Sequence, residues 1–134
     1  MTDQTPLDLE AFKVFEHDGW EQVSHSYHDS IEPITQQAAK PLLDAVEAGA
    51  GVKLLDLACG TGYVSALATV QGADVVGIDF ASSMVEEASK LHPDIEFMEG
   101  DAEALPFADE IFDVIVCNFG ILHFARPEQA IAET

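Results

Sequence analysis

From Val52 onward the chain alternates between short apolar runs and stretches with helical spacing. The runs at Lys53–Leu57, Asp74–Ile78, Ile95–Met98 and Phe112–Cys117 predict four buried strands. Between them, Tyr63–Gln71 predicts a helix stopped by Gly72. A second helix runs from a cap at Ser82 or Ser83 through Leu91, and Pro93 prevents its continuation. Gly100–Asp109 reads as a loop, and Pro127 starts a last helix. Strands alternating with helices predict a parallel sheet covered on both faces, an α/β fold.

The first fifty residues carry a different pattern. A polar tail gives way to Leu9, Phe12 and Phe15 at near-helical spacing, predicting a short amphipathic helix up to Glu16. Asp18 and Glu21 have the spacing of a capping box. They predict a second helix with Trp20, Val23, Tyr27 and Ile31 on one face. Pro33 fits the first turn of a third, in which Ile34, Ala38, Leu42 and Val46 repeat. Pro41 either kinks that helix or divides it, and Gly49 or Gly51 ends it. The expected division is therefore a helical cap, residues 1–50, and an α/β domain, residues 51–134.

Chemistry concentrates where the first strand meets its helix. Lys53–Leu57 leads into Ala58-Cys59-Gly60-Thr61-Gly62, small residues suited to a tight turn. A side chain at Gly60 or Gly62 would hold a ligand away from the backbone there. Free N–H groups at the helix start suit an adenosine-bearing ligand with an acidic group. Asp79 closes the second apolar run, 17 residues after Gly62. An acid at that strand tip can accept two hydrogen bonds from a ribose diol. The same acid fits a nicotinamide dinucleotide, but that fingerprint wants Gly or Ala where this chain has Ser65.

With these residues in view, Leu54–Gly62, Val75–Ala81, Gly100–Pro106 and Phe112–Phe124 resemble four ordered motifs of class I S-adenosylmethionine-dependent methyltransferases. The resemblance is to the type 11 small-molecule branch, near the ubiquinone and menaquinone biosynthesis enzymes. It implies a Rossmann-like fold with a partial parallel sheet in the order 3-2-1-4, lacking the C-terminal half of the family fold. It also implies S-adenosyl-L-methionine as cofactor and a small-molecule methyl acceptor. The expected cofactor contacts are Asp56, Ala58, Gly60, Gly62, Asp79, Phe80, Met84, Asp101, Ala102, Asn118 and Tyr27. Asp56 would order the glycine turn and help receive the ligand's amino group. Phe80 would pack on adenine with Met84 closing the other side, and Asp101 and Ala102 would meet the adenine edge. Ala58 stands where the family often has Gly. Tyr27 and Trp20, on the covering helices, would approach the methionine part of the cofactor or else belong to the core. His123 is a candidate general base for a substrate hydroxyl, with a structural role as its alternative.

Net charge is −20, from 25 acids against 5 bases. That argues against nucleic acid or anionic lipid as partner. No apolar run approaches the ~20 residues of a membrane span. The start has no secretory pattern, so a cytoplasmic protein is expected. Cys59 and Cys117 read as two buried thiols rather than a disulfide. His25 and His28, with His17 and Asp29 nearby, read as a solvated face, and no metal is expected. The fourth strand, apolar on both faces, is expected to be a sheet edge paired in an oligomer or with a missing segment. An enzyme is expected, and a catalytically incomplete cofactor-binding module needing a partner chain is the alternative.

Overall fold

The computed structural model describes residues 6–134; most of the polar tail lies outside them. Four parallel strands form one sheet in the order β3-β2-β1-β4. They are β1 (Lys53–Leu57), β2 (Asp74–Asp79), β3 (Glu96–Glu99) and β4 (Val114–Val116). Leu55 lies opposite Val76 on one side and Ile115 on the other. The central strand is thus buried on both faces, as its unbroken apolar run requires.

Alternate residues of β1 serve different cores. Leu54 joins Val75, Val116, Leu43, Val64 and Ala68 on one face. Leu55 and Leu57 join Ile78, Ala102 and Ala130 on the other, with Met98, Phe107 and Phe112 packed against them. Helices α3 (Ala39–Ala45) and α4 (Tyr63–Val70) supply the first core, and α6 (Pro127–Ala132) supplies Ala130 to the second. β4 is shorter than the apolar run, although the Asp113 N–H still donates to the Lys53 carbonyl at 2.8 Å. The Asp113 carboxylate, in place of a backbone carbonyl, accepts the Lys53 N–H at 2.9 Å.

The N-terminal part departs from the sequence reading. One helix, α1 (Leu9–Ser30), replaces the two that were expected. Asp8 is its N-cap, accepting the Ala11 N–H at 3.0 Å. Asp18 and Gly19 lie inside it, because Gly within a helix costs only about 1 kcal/mol and does not stop the ladder. Phe15, placed on an apolar face by its spacing, is 71% exposed. The capping-box acid, Glu21, caps a different helix. It accepts the Ser82 and Ser83 N–H groups at 2.5 and 3.2 Å, at the start of α5 (Ser82–Leu91). No serine side chain caps α5.

Pro33 sits in the first turn of α2 (Glu32–Thr35). A 3-10 turn at Gln36–Ala38 divides the expected long helix before α3. The division therefore precedes Pro41, whose ring fits the first turn of α3. Ile34 is exposed, and Ala39 and Leu43 carry the buried face instead.

Candidate functional site

Parallel strands place all their carboxyl ends on one side of the sheet, and a cleft opens there. It encloses about 900 Å³, its open mouth included. β1 and the turn after it contribute Leu57, Ala58 and Gly60 to its wall, and β2 and its following residue contribute Ile78, Asp79 and Phe80. The loops after β3 and β4 add Gly100–Glu103 and Asn118–Gly120, followed by His123–Ala125. Helix α1 roofs it with Lys13, Trp20 and Tyr27. Seven-residue steps bring these three to one face of the helix.

Nine of the eleven expected contact residues line this cleft: Tyr27, Ala58, Gly60, Asp79, Phe80, Met84, Asp101, Ala102 and Asn118. His123 and Trp20 line it too. Asp56 and Gly62 do not. Asp56, 1% exposed, turns onto the α4 side and accepts the Ser65 hydroxyl at 2.7 Å. It borders only a smaller adjoining hollow, with Tyr27, Thr35, Gly60 and Asn118. Gly62 has φ +87°, and a Cβ there would stand 2.7 Å from the Phe97 ring. Its missing side chain makes room for packing against β3, not for a ligand.

Asp79 is buried at 7% exposure. One carboxylate oxygen accepts the Gly60 N–H at 2.8 Å and the other the Ala81 N–H at 3.0 Å. Each oxygen keeps further acceptor capacity. Burial pushes its carboxyl above the usual range, against the pull of those two backbone bonds, and the charge of Glu21 adds to the rise. Burial likewise lifts Asp56 to about 7, opposed by hydrogen bonds from Ser65 and reinforced by the nearby charge of Asp79.

Ala58 takes φ +56°, the left-handed region, which costs a residue with a Cβ roughly 1–2 kcal/mol. Its methyl is accommodated by Gly120. A Cβ on Gly120 would lie 2.6 Å from the Ala58 Cβ and 2.9 Å from the Cys117 sulfur. Both cysteines are free. Burial pushes the Cys59 thiol well up and Cys117 to about 11. Neither is a nucleophile at neutral pH.

The roof brings in groups that local pattern does not reveal. Lys13 donates to Asp101 at 2.5 Å and to Glu103 at 3.0 Å. Burial alone would lower the Lys13 pKa, but its bonds to Asp101 and Glu103 outweigh that and raise it. Glu103, buried, also accepts the Arg126 N–H at 2.8 Å. Burial opposes its ionisation, yet Lys13 and Arg126 hold its carboxyl below the usual range. Phe80 meets His17 edge-on at 5.4 Å. Asn118 donates to the Thr35 carbonyl at 3.1 Å, fixing the strand-4 tip to the cap. Lys13 is one of only five bases in an acidic chain, and that rarity was its one signal. The histidines of residues 1–50 meet acids: His25 meets Glu87, His28 meets Glu32, and His17 lies between Asp18 and Glu21 at 3.4 and 3.6 Å. Among the described residues no cluster of metal ligands forms.

A parallel sheet with a buried acid at its second tip and a small-residue turn at its first defines a Rossmann-like nucleoside-binding domain. Residues 55–134 match the family described as "Methyltransferase domain", and the chain belongs to that family. It is 41% identical over 99 residues to a demethylmenaquinone methyltransferase of Renibacterium salmoninarum. That match covers 74% of this chain and 42% of the relative. The chain thus spans about two fifths of the length of the curated relatives it matches.

Among solved structures, a Haloferax volcanii protein in complex with the Trm112 methyltransferase activator superposes with a TM-score of 0.72 at 27% identity. The match covers 89% of this chain and 52% of that one. Magnesium protoporphyrin IX methyltransferase of Synechocystis, solved with bound S-adenosylmethionine, shares the fold. Its TM-score is 0.75 at 21% identity, covering 98% and 72% of the two chains.

Proposed function

We propose that the protein is an S-adenosylmethionine-dependent methyltransferase acting on a small molecule. The observation that carries this reading is Asp79, a buried carboxylate with spare acceptor capacity, facing the cleft beside the Gly60 turn. The residues present fit the cofactor. Asp79 would receive the ribose hydroxyls, and Phe80, Met84 and Ala102 offer apolar surface for the base. Asp101 would accept from its amino group. Tyr27 and Trp20 offer ring faces to a cation, worth roughly 0.5–2 kcal/mol. When bound, the cofactor supplies a methyl group made electrophilic by the sulfonium charge. The protein's own part is to orient the acceptor, which can contribute roughly 7–11 kcal/mol.

A quinone-type hydroxylated ring is the proposed acceptor. The relatives' name supports this, as does the apolar character of Ile31, Phe119 and Phe124 in the cleft wall. Nucleic acid is not a proposed partner, given the charge of −20. No described helix is long and apolar enough to cross a membrane, and a cytoplasmic enzyme is proposed. Residues 1–50 are proposed as a cap on a binding domain formed by 51–134.

A second reading, a cofactor-binding unit needing more chain or a partner for turnover, has its own support. The chain spans two fifths of its relatives, and among the described residues β4 pairs only with β1. Titration calorimetry with S-adenosylmethionine tests the first part of the proposal. Binding that Asp79→Ala abolishes supports it, and equal binding by both proteins sinks it. Turnover of labelled cofactor with quinol acceptors then separates the two readings.

A further inference from the structure

Helix α1 and the 3-10 turn after β4 (Ile121–His123) meet at a three-residue cluster in the cleft wall. Glu16 lies 2.7 Å from the Nδ1 of His123 and accepts the Trp20 indole N–H at 3.2 Å, both through Oε2. The Trp20 ring stands edge-on to the imidazole at 4.9 Å and 83°. His123 and Trp20 both line the cleft. Glu16 is the more buried partner, with 15% side-chain exposure against 37% for His123.

We infer that Glu16 is the positioning residue that makes His123 a proton acceptor for the hydroxyl of the methyl acceptor. This rests on the proposed function and names a residue pair for it. An indole N–H only donates, so Trp20 fixes the carboxylate. A neutral imidazole nitrogen at 2.7 Å from a carboxylate carries the hydrogen. His123 is therefore the Nδ1–H tautomer, with its lone pair on Nε2. Among the described residues Nε2 has no protein hydrogen-bond partner. The proton passes from the acceptor's hydroxyl to Nε2, the acceptor is left as an oxyanion, and the imidazolium is held by Glu16. The half-exposed ring later returns the proton to water. A carboxylate that orients an imidazole and stabilises its charged form is the division of labour of hydrolase triads. The other charged residues lining the cleft are Asp79 and Lys13, the latter bound to Asp101 and Glu103.

Long-range proton–nitrogen NMR of the ¹⁵N-labelled full chain reads the tautomer directly, with His123→Gln assigning the signals. The wild type should show neutral His123 as Nδ1–H. Glu16→Ala should convert it to a majority of the Nε2–H form. Glu16→Gln, whose carbonyl still accepts, should restore Nδ1–H. Unchanged signals from His25, His28 and His92 show that each variant is folded. An Nε2–H wild type, or a tautomer indifferent to Glu16→Ala, overturns the inference. Calorimetry with S-adenosylmethionine on the same wild-type sample keeps the two ideas apart. Binding together with the wrong tautomer sinks only the Glu16–His123 role. The right tautomer without binding sinks the proposed function, and the base role with it.

Discussion

Asp56 and Asp79 stand near the tips of adjacent parallel strands, both buried, both at the end of an apolar run. Their surroundings give them opposite duties. Asp56 points to the α4 side and is satisfied by a side chain, the Ser65 hydroxyl. Asp79 is held by two backbone N–H groups from the turns beside it and faces the cleft. Two acids alike in sequence context are separated by which neighbour supplies the donor. The Ser65 that departs from the dinucleotide fingerprint is the donor that meets Asp56 on that side.

The largest effect should come from exchanging the two acids' fates. On the proposed function, Asp79→Ala would remove the two charge-assisted hydrogen bonds proposed to the ribose, worth roughly 3–6 kcal/mol together. S-adenosylmethionine affinity by calorimetry should fall at least about 100-fold. Asp56→Ala should change it far less. An equal loss for both would erase the distinction.

Next comes pH. Asp56 has a folded-state pKa of about 7, above an unfolded value near 3.9. Its favourable contribution is complete below about pH 4 and is lost as pH rises through 7. The loss is of the order of 4 kcal/mol, from about three units at 1.36 kcal/mol each. Asp56→Asn should therefore flatten thermal stability between pH 4 and 8 and exceed the wild type at pH 8. Asp79 is shifted in the same direction and should leave a slope of the same sign in that variant, while His92, whose pKa burial lowers, tilts stability the opposite way.

Ser65→Ala strips Asp56 of its donor and should cost about 1–3 kcal/mol in urea unfolding at neutral pH. Cofactor affinity should move little, since Ser65 touches only the structural acid. The smallest effect is expected at Ala58, between the two tips. Ala58→Gly relieves a left-handed alanine and should stabilise by about 1 kcal/mol, read as a rise in melting temperature.

The sheet was legible because each of its strands announces itself locally. Leu54–Leu57, Val75–Ile78 and Val114–Val116 are apolar runs, and parallel pairing follows from the helices between them. The cleft was legible as far as it follows from strand tips, and Asp79, Asp101 and Asn118 all line it. Asp56 and Gly62 stay out of the cleft lining because sequence shows that a residue is near a turn, not which side it faces. The roof was largely illegible. Lys13 meets Asp101, Glu16 meets His123, and Glu21 meets Ser82 across 88, 107 and 61 residues. Contacts at that range leave no periodicity behind, and the Asp18–Glu21 spacing suggested a local cap where Glu21 serves a distant one.

That distant cap ties access to helix integrity. The amides that Glu21 covers open α5 just three residues beyond Asp79, so a swing of α1 away from the sheet strips α5 of its acceptor, a change worth roughly 0.5–2 kcal/mol. Departure of α1 and fraying of a neighbouring helix thereby become one event. The deuterium uptake of the Ser82 and Ser83 amides should act as a clock for how often Glu21 lets go of them.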